Sequence, residues 1–437
     1  MGGSVGRAVL AMALGLAGVA CGARTGLGLA DPPARHARPD AGDVVRLDAA
    51  GLDAAGLDAP APPDAGTPTP PPDSGVVETL DGAIALPPDV RPRTTVAAGW
   101  RHTCAVARGD VWCWGFDSAG QAGGWARADR VLEPVHVDVG GAAVEVSAGI
   151  LHSCALLGNG DVRCWGSNDL GQLGDGTRET RLRPVVVLDL HDAVRIAAAG
   201  EHTCALRVGG EVWCWGHDGF GQLGDGSRVT RARPAPVHAL TDVVDLVAGR
   251  RHTCAVRRSG ALYCWGAGAQ GQLGVPSGDH TEPRPVPGYA NVRSVAAGAY
   301  HTCALGQTDS VDCWGSVVRA GEGDGVWFEE RPVLSFYDIQ RVSGGDLGTT
   351  CAIFGPDAEL RCTTHEACTR WDDPSCIQIF DVGGISHATS VSVGYEHGCA
   401  ELDGGGIACW GDDQFGQRGD GAAHAADRWV ASRVLAM

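Results

Sequence analysis

Lysine is absent from the 437 residues, methionine occurs three times, and aromatic residues make up only 6% of the chain. Arginine therefore supplies all 34 basic side chains against 52 acidic ones, which gives a formal net charge of −18. Such an acidic chain repels the phosphate backbone that dominates nucleic-acid affinity, so we expect no nucleic-acid partner. We attribute the missing lysine to genome composition rather than to function.

Helical periodicity is missing as well. No stretch keeps a 3.6-residue apolar period for ten residues, and short apolar runs broken by Gly and Asp indicate strands instead. The motifs G-x-S-x-G, H-E-x-x-H and the P-loop are absent, which removes the enzyme classes that depend on them. The Asp boxes typical of sialidase propellers are missing too. We therefore expect no catalytic residue, no metal ion and no cofactor.

One repeated segment is abundant, and its best copy reads "EHTCALRVGGEVWCWG" at residues 201–216. Copies return every 48 to 50 residues, and the sixth of the seven has Thr349 where the others have histidine. A period of this length indicates an array of supersecondary units. Seven repeats of four strands predict an all-β, seven-bladed β-propeller of four-stranded blades. Small residues such as Ala97-Ala98-Gly99 suit the axis, where the innermost strands converge.

The succession of Gly, "HTCAL", "WG" and "GQLG" resembles the regulator of chromosome condensation repeat family. "GQLG" stands at 171–174, 221–224 and 271–274, and "GQRG" at 416–419. The resemblance covers roughly residues 91–437 and implies the same seven-bladed fold. It also implies closure of the ring by strands from both termini in one blade, so that 430–435 would pair beside the strand that begins near Thr94.

Two features depart from the family pattern. Cysteines stand in the second and third strands of each repeat, which the founding member does not need. The sixth copy has Thr363-Thr364 where the other copies have Trp-Gly, and it lacks the Gly-Gln loop.

The N-terminal ninety residues predict two further segments before the propeller of 91–437. Residues 1–20 indicate a secretory signal, being too short an apolar run for a membrane span. Residues 21–90 are rich in Pro, Ala, Gly and Asp and predict a disordered tether, because such a composition buries too little apolar surface.

Gly18-Val19-Ala20-Cys21 resembles an imperfect bacterial lipobox, with Gly18 where leucine is usual. The resemblance implies lipidation of Cys21 and export to the bacterial cell envelope, as an outer-membrane lipoprotein or in the periplasm or at the cell surface. The anchor would then be the only contact with a membrane. The alternative is ordinary signal cleavage, either with Cys21 left as a stray thiol or with a cut nearer Ala30.

The other sixteen cysteines fall into pairs nine to eleven residues apart in seven hairpins, with an eighth pair in an insertion of the sixth blade. Facing residues of antiparallel strands are close enough for disulfides. Metal binding is the rival interpretation, but no C-x-x-C occurs, and paired cysteines suit an exported chain. The predicted disulfides join Cys104 to Cys113, Cys154 to Cys164, Cys204 to Cys214, Cys254 to Cys264, Cys303 to Cys313, Cys351 to Cys362, Cys399 to Cys409 and Cys368 to Cys376.

Six histidines and six tryptophans recur at fixed positions of the repeat. A residue type repeated in most blades indicates packing or hydrogen bonding, whereas an active site gathers different residue types in one cleft. Asp175-Gly176 and Asp225-Gly226 resemble calcium loops, but Asp-Gly is also ordinary turn chemistry. The repeated residues are His102, His152, His202, His252, His301 and His397, with Trp114, Trp165, Trp215, Trp265, Trp314 and Trp410.

The turns after the first and third strands of a blade lie at the same end of the propeller, which we name the loop face. The first of these turns holds the most variable residues of the repeat, and its aromatic and arginine residues suit a binding interface. The alternative is that they only cover the blade ends. The candidate binding residues are Trp100, Arg101, Ile150, Leu151, Glu201, Arg250, Arg251, Tyr300, Tyr395 and Glu396, with Trp327 and Phe328 in a longer loop.

These features predict an exported, non-enzymatic propeller that binds a protein or glycan partner through its loop face. We expect the propeller to be a monomer. The first alternative is guanine-nucleotide exchange on a small GTPase, the activity of the family's founding member. Export and paired cysteines count against this activity, because small GTPases are cytosolic. A weaker alternative is a carbohydrate-active enzyme with carboxylates in the axial channel.

Overall fold

In the computed structural model, the repeats fold into seven antiparallel sheets that form the blades of a propeller. The structure describes residues 95–124, 129–276, 278–315, 338–345, 349–364, 378–421 and 430–435, all within one compact unit. The predicted signal, lipidation site and tether lie outside these ranges. Within these ranges, no helix has the length and apolar character needed to cross a membrane.

Each blade is a simple antiparallel meander, so its strands are neighbours in the order in which the chain makes them. Six blades have four strands, and the fifth has three within the described residues, because 316–337 are not among them. The predicted all-β, seven-bladed architecture is confirmed. The strands are, blade by blade, β1 (Val96–Ala98), β2 (His102–Ala107), β3 (Asp110–Phe116) and β4 (Arg130–Val137); β5 (Ala143–Ala148), β6 (His152–Leu157), β7 (Val162–Gly166) and β8 (Arg181–Val186); β9 (Ala193–Ala199), β10 (His202–Arg207), β11 (Val212–Gly216) and β12 (Arg231–Pro236); β13 (Val243–Ala248), β14 (His252–Arg257), β15 (Leu262–Gly266) and β16 (His280–Pro285); β17 (Val292–Ala297), β18 (His301–Gly306) and β19 (Val311–Gly315); β20 (Ile339–Gly344), β21 (Thr350–Phe354), β22 (Glu359–Thr364) and β23 (Gln378–Asp381); β24 (Ala388–Val393), β25 (His397–Leu402), β26 (Ile407–Gly411) and β27 (Ser432–Leu435).

The cysteine pairs form one disulfide across the second and third strands of every blade. Cys204 of β10 faces Cys214 of β11 in the strand register, and the other pairs face each other in the same way. The Cα atoms of the pairs are 4.0 to 4.2 Å apart.

Seven of the eight predicted disulfides are thus confirmed. The eighth, between Cys368 and Cys376, lies outside the described residues and stays a prediction. The confirmed bonds join Cys104 to Cys113, Cys154 to Cys164, Cys204 to Cys214, Cys254 to Cys264, Cys303 to Cys313, Cys351 to Cys362 and Cys399 to Cys409.

At five of the seven junctions, the repeated histidine joins one blade to the next through a short chain of hydrogen bonds. His202 Nε2 lies 2.9 Å from Thr253 Oγ1, which donates at 2.9 Å to the main-chain oxygen of Gln222. Trp265 Nε1 donates to that same oxygen at 2.9 Å. Since the Thr253 hydroxyl has one proton and uses it on Gln222, it accepts from His202, which places the imidazole proton on Nε2. We name this set of three bonds the blade staple.

The staple recurs at five junctions of the ring. Each set comprises a histidine and a Gln carbonyl from one blade, and a Thr or Ser and a Trp from the following blade. The sets are His102, Ser153, Trp165 and Gln121; His152, Thr203, Trp215 and Gln172; His202, Thr253, Trp265 and Gln222; His252, Thr302, Trp314 and Gln272; and His397, Thr103, Trp114 and Gln417. In these five sets the repeated histidines and tryptophans hold neighbouring blades together by hydrogen bonds, which is the structural role predicted for them.

The stapling histidines are sealed from water and neutral. Burial, helped in most of them by neighbouring histidines, lowers the pKa of His102, His202, His252 and His397 to about 3. Burial alone lowers the pKa of His152 to about 4. Nδ1 of each stapling histidine is buried without a hydrogen bond, which also disfavours protonation because the new proton would find no acceptor.

The ring does not close by exchanging strands between the chain's two ends. The predicted pairing of 430–435 with the strand near Thr94 is wrong, because β27 pairs with β26 and β1 pairs with β2. The seventh blade therefore takes its fourth strand from its own repeat. A staple closes the ring instead: His397 lies 2.9 Å from Thr103, and Trp114 donates to the Gln417 carbonyl at 2.8 Å.

Two junctions of the ring are held by fewer of these bonds. Between the fifth and sixth blades, the one staple bond among the described residues runs from His301 to Thr350, at 3.1 Å, and Arg293 Nη2 donates to the Ile339 carbonyl at 2.5 Å. Between the sixth and seventh blades, Thr349 replaces the histidine and Gly398 replaces the threonine, so neither half of that bond is present. The described hydrogen bonds that join these two blades come from main-chain N–H groups. Among them, Val393 N donates to Ser343 Oγ at 3.1 Å, Ala388 N to the Ala358 carbonyl at 3.1 Å, and Ala431 N to the Gly383 carbonyl at 3.0 Å.

Apolar packing fills the space between neighbouring blades. Trp265 of the fourth blade is fully buried against Leu206 and Leu223 of the third. At the closing junction, Trp114 packs in the same way against Ile407 of the seventh blade. The core is therefore a set of layers between the sheets, and each layer needs both of its blades.

Candidate partner-binding face

The predicted binding residues occupy the turns between the first and second strands of their blades. Ten of the twelve are described, and all ten lie in these turns, on the loop face. Glu201 and Arg251 are exposed, and the other eight are half-buried. Trp327 and Phe328 lie outside the described residues.

In three blades the first residue of the turn faces the axis: Trp100, Ile150 and Arg250 line the mouth of an axial cavity of about 220 Å³. In the first and fourth blades the second residue lies against the loop of the preceding blade. Arg251 Cζ lies 4.6 Å from the centre of the Phe220 ring, and Arg101 Cζ lies 4.8 Å from that of Phe415.

Small residues form the wall of the axial cavity, as their sequence positions predicted. Ala97, Ala197 and Ala296 are each buried and lie on the innermost strands β1, β9 and β17. Their short side chains let seven strands approach one axis. The cavity reaches the loop face, where larger side chains surround its mouth.

An aromatic cluster forms where the first and last blades meet. The Trp100 and Tyr395 rings are 5.6 Å apart, and the Phe116 and Phe415 rings are 5.0 Å apart in an edge-to-face arrangement. Arg101 Cζ lies 4.5 Å from the Trp100 ring and 5.5 Å from the Tyr395 ring. We name this group the seam cluster, and its members are Trp100, Arg101, Phe116, Tyr395, Glu396 and Phe415.

Four members of the seam cluster were predicted from the sequence, and two were missed. Phe116 ends β3, and Phe415 stands in the loop between β26 and β27. Phe220 holds the place of Phe415 in the third blade, directly before Gly-Gln. The sequence did contain a signal for Phe415, because the position directly before Gly-Gln varies between repeats. It is Phe in two of them and Ala119, Leu170 or Gln270 in the others.

Burial also changes the charge near the seam cluster. Asp117 follows Phe116 and is wholly buried, with Oδ1 accepting from Ala122 N at 2.7 Å. Burial raises the pKa of Asp117 to about 7, although the backbone hydrogen bonds pull it down. The equivalent Asp218 has its pKa raised to about 6, again mainly by burial. These two loops therefore carry less negative charge near neutral pH than their sequence indicates.

The carboxylates of the innermost strands are already paired. Arg195 Nε lies 3.0 Å from Glu145 Oε1, and Arg195 Nη1 lies 3.6 Å from Asp245 Oδ1. Main-chain N–H groups of Ile196 and Val295 donate to the remaining oxygens of Glu145 and Asp245. Burial alone would lower the pKa of Arg195, but the two carboxylates raise it, so this group stays ionised. The trio holds neighbouring strands together.

The Asp-Gly loops show turn chemistry. Asp175 accepts from Thr177 N at 2.9 Å and from Arg181 Nε at 2.9 Å. Asp225 accepts from Ser227 N at 2.8 Å and from Arg231 Nε at 2.6 Å. In the part of the chain that the structure describes, no three His, Cys, Asp or Glu side chains are grouped to hold a metal ion.

Comparison with solved structures identifies the same fold. Yeast RCC1 (Prp20), in a structure bound to Kap60, superposes with a TM-score of 0.63, covering 75% of this chain and 83% of that one at 22% identity. Human WBSCR16 gives a TM-score of 0.60 over 74% and 90% of the two chains, also at 22% identity. At these identities the likeness concerns the fold alone.

Comparison with characterised proteins finds shorter similarities. The human E3 ubiquitin-protein ligase HERC2 is 32% identical over 119 residues, which are 26% of this chain and 2% of HERC2. The Arabidopsis thaliana ultraviolet-B receptor UVR8 is 33% identical over 94 residues, which are 21% of each chain. The similarity thus spans a small part of each of these relatives.

Family models match most of the chain. The RCC1-like domain matches residues 66–351, and the regulator of chromosome condensation (RCC1) repeat matches 388–417. The first match alone spans well over half of the sequence, and from residue 95 onward both matches fall on the repeats that form the blades. The chain therefore belongs to the RCC1-like family of seven-bladed propellers.

Proposed function

We propose that this protein is an exported, non-enzymatic propeller that binds a protein partner through its loop face. The seam cluster is the observation that carries the proposal. It concentrates Trp, Tyr and Arg, the residue types that dominate interface energies, in one half-buried group at the mouth of the axial cavity. Rings that are already packed against one another lose little freedom on binding, which favours affinity.

The disulfides support the exported part of the proposal. Seven described blades each carry one, and disulfides persist in oxidising compartments while cytosolic thiols are kept reduced. Lipidation of Cys21 belongs to the same proposal. The measurement is the intact mass of natively purified protein, with and without reduction before alkylation. A diacylglycerol mass on Cys21 with all other cysteines protected supports it, and free thiols with an intact N-terminus contradict it.

The fold supplies a precedent for protein binding, since yeast RCC1 is seen bound to Kap60. That partner belongs to the yeast protein, and at 22% identity it does not transfer to this chain. The proposal takes from it only that a protein of this fold is found in complex with another protein.

The test compares matched variants on the two faces. Trp100→Ala removes the centre of the seam cluster, whereas Trp213→Ala removes a half-buried Trp that stacks with Arg207 (4.7 Å) toward the opposite face. Proteins from a cell-envelope extract are captured on the native protein and on both variants, and then quantified by mass spectrometry. The purified partner so identified is measured by calorimetry.

We expect one protein to bind the native chain and the Trp213→Ala variant equally, and to bind Trp100→Ala about thirtyfold or more weakly, as for a residue that dominates an interface. Loss of binding in both variants, or in neither, contradicts the assignment to the loop face. A glycan that competes for the same residues would change the partner class and keep the face.

A further inference from the structure

In the described part of the propeller, six arginines stack on aromatic rings, some at the loop face and some toward the opposite face. The two groups differ in the hydrogen-bond acceptors that surround their guanidinium groups. Toward the opposite face, Arg207 stacks on Trp213 and Arg361 stacks on Phe354, at 4.7 and 4.4 Å. On the loop face, Arg101 and Arg251 stack at 4.5 and 4.6 Å. Stacking fixes a guanidinium in place and leaves its edge N–H groups available for hydrogen bonds.

Toward the opposite face these edges are occupied by carboxylates and carbonyls of the chain itself. Arg207 donates to Asp192 at 2.7 Å and to Glu211 at 3.1 Å. Arg361 donates to Asp381 at 2.7 Å and to Glu359 at 3.0 Å. The third arginine of this set, Arg257 beside Tyr263, donates to the main-chain oxygen of Thr241 at 2.9 Å.

On the loop face the corresponding edges have no acceptor among the described residues. Arg101 reaches only Glu396, at 3.9 Å, which is too long for a hydrogen bond, and its Nε is buried without a partner. Arg251, over Phe220, and Arg250, 5.9 Å from the Tyr300 ring, have no hydrogen bond or ion pair in the described part of the chain. Within the part of the chain that the structure describes, three stacked guanidinium groups therefore have donors without an acceptor at the loop face.

A guanidinium that is already positioned binds carboxylates through paired, charge-assisted hydrogen bonds. This chain shows the pairing itself, since its stacked arginines toward the opposite face take Asp and Glu as partners. The chain's own charge of −18 argues against an extended polyanion, which would meet repulsion everywhere outside this small region. The ligand that fits the loop face is therefore a short segment with a few carboxylates next to apolar side chains.

We propose that the loop face binds an acidic segment of a partner protein, whose Asp or Glu carboxylates pair with Arg101 and with Arg250 and Arg251 across the channel mouth. The proposal rests on the protein-binding function above and specifies the chemistry of its partner. Trp100, Tyr395 and Phe415 then contact the apolar side chains between those carboxylates.

The experiment uses an array of synthetic twelve-residue peptides in three matched series. One series carries Glu within an aromatic and aliphatic background, the second carries Gln at the same positions, and the third carries phosphoserine. The full oxidised protein is applied at low and moderate salt. Its variants are Arg101→Gln and the double variant Arg250→Gln with Arg251→Gln on the loop face, and Arg207→Gln as the matched control on the opposite face. Circular dichroism and thermal unfolding verify that each variant is folded.

We expect the Glu peptides to bind and the Gln peptides to fail. Each loop-face variant should weaken the Glu peptides about ten- to a hundredfold, as for loss of a hydrogen bond to a charged group, while Arg207→Gln leaves them unchanged. Preference for phosphoserine over Glu would overturn the carboxylate assignment.

The two proposals fail separately. Binding that is equal for Glu and Gln peptides but lost in Trp100→Ala overturns the acidic-segment proposal and retains the loop face as the binding face. Glu-peptide binding that survives every loop-face variant, including Trp100→Ala, overturns both, as does the absence of any peptide that the native protein binds.

Discussion

The staple threonine is the residue with the most connections in this fold. Thr253 accepts from His202 and donates to the Gln222 carbonyl, which Trp265 also contacts. A hydroxyl suits this place because it both accepts and donates, and Ser153 fills the same place in the second blade. One small side chain thereby satisfies buried polar groups of two blades.

Thr253→Val keeps the volume of the side chain and removes both bonds. We expect the free energy of unfolding to fall by about 1–3 kcal/mol, because the Nε2–H of His202 is left buried without an acceptor. Urea unfolding followed by tryptophan fluorescence measures the effect. The control is Thr389→Val, since Thr389 is exposed on β24 and makes one hydrogen bond, at 3.3 Å. Equal losses at the two positions would contradict the role assigned to the staple.

At the scale of the blade, the sixth is the one whose lateral bonds differ most. It lacks the histidine that would staple the seventh blade, and the seventh in turn has Gly398 at the matching threonine position. A Cβ on Gly398 would lie 2.4 Å from the Trp410 ring, so Trp410 occupies the space that a threonine needs. The two replacements fit each other, and the apolar contacts of Ile353 and Leu360 with Trp410 remain between these blades.

We expect the sixth blade to open before the third, which is stapled to both of its neighbours. Three hydrogen bonds at about 1 kcal/mol each correspond to roughly a hundredfold difference in opening, so amides of β21 should exchange with deuterium about that much faster than those of β10. Hydrogen exchange read by mass spectrometry is the measurement. Thr253→Val should raise exchange in β14, as an internal control. Exchange in β21 as slow as in β10 would show that apolar packing alone determines blade opening.

For the molecule as a whole, buried histidines set the response to acid. Five of them have pKa values lowered to about 3 or 4, while the same side chains titrate near 6.5 in the unfolded chain. Their contribution to stability is therefore complete above about pH 6.5 and is lost as the pH falls toward the folded values. Asp117 and Asp218 have raised pKa values and act in the opposite direction, losing their contribution as the pH rises.

Because the five buried histidines outnumber the three carboxyl groups whose pKa burial raises, Asp117, Asp218 and Asp312, we expect net destabilisation on acidification with the disulfides intact. Each neutral histidine contributes a loss of about 1.4 kcal/mol per pH unit below its unfolded pKa. The urea midpoint should fall steadily between pH 6.5 and 4.5. A midpoint that is flat or rises over this interval would contradict the assignment of neutral, buried imidazoles.

Much of this architecture was predictable because it is repeated. The period of 48 to 50 residues predicted the blades, and the paired cysteines predicted the disulfides. The closing junction was not predictable in the same way, since Thr103 and His397 are 294 residues apart and nothing in the spacing says which strands meet. The seam cluster shares this difficulty: Phe116 and Phe415 come together only when the ring is complete.

The positions of the described disulfides determine when these disulfides can form during synthesis. Each joins two cysteines nine to eleven residues apart within one blade, and none of the seven joins two blades. The correct partner of each of these cysteines is thus a near neighbour along the chain, and it emerges during synthesis immediately after or before it. Oxidation of these pairs can follow the order of chain emergence, hairpin by hairpin, without waiting for the ring and without a shuffling step to correct distant mispairs.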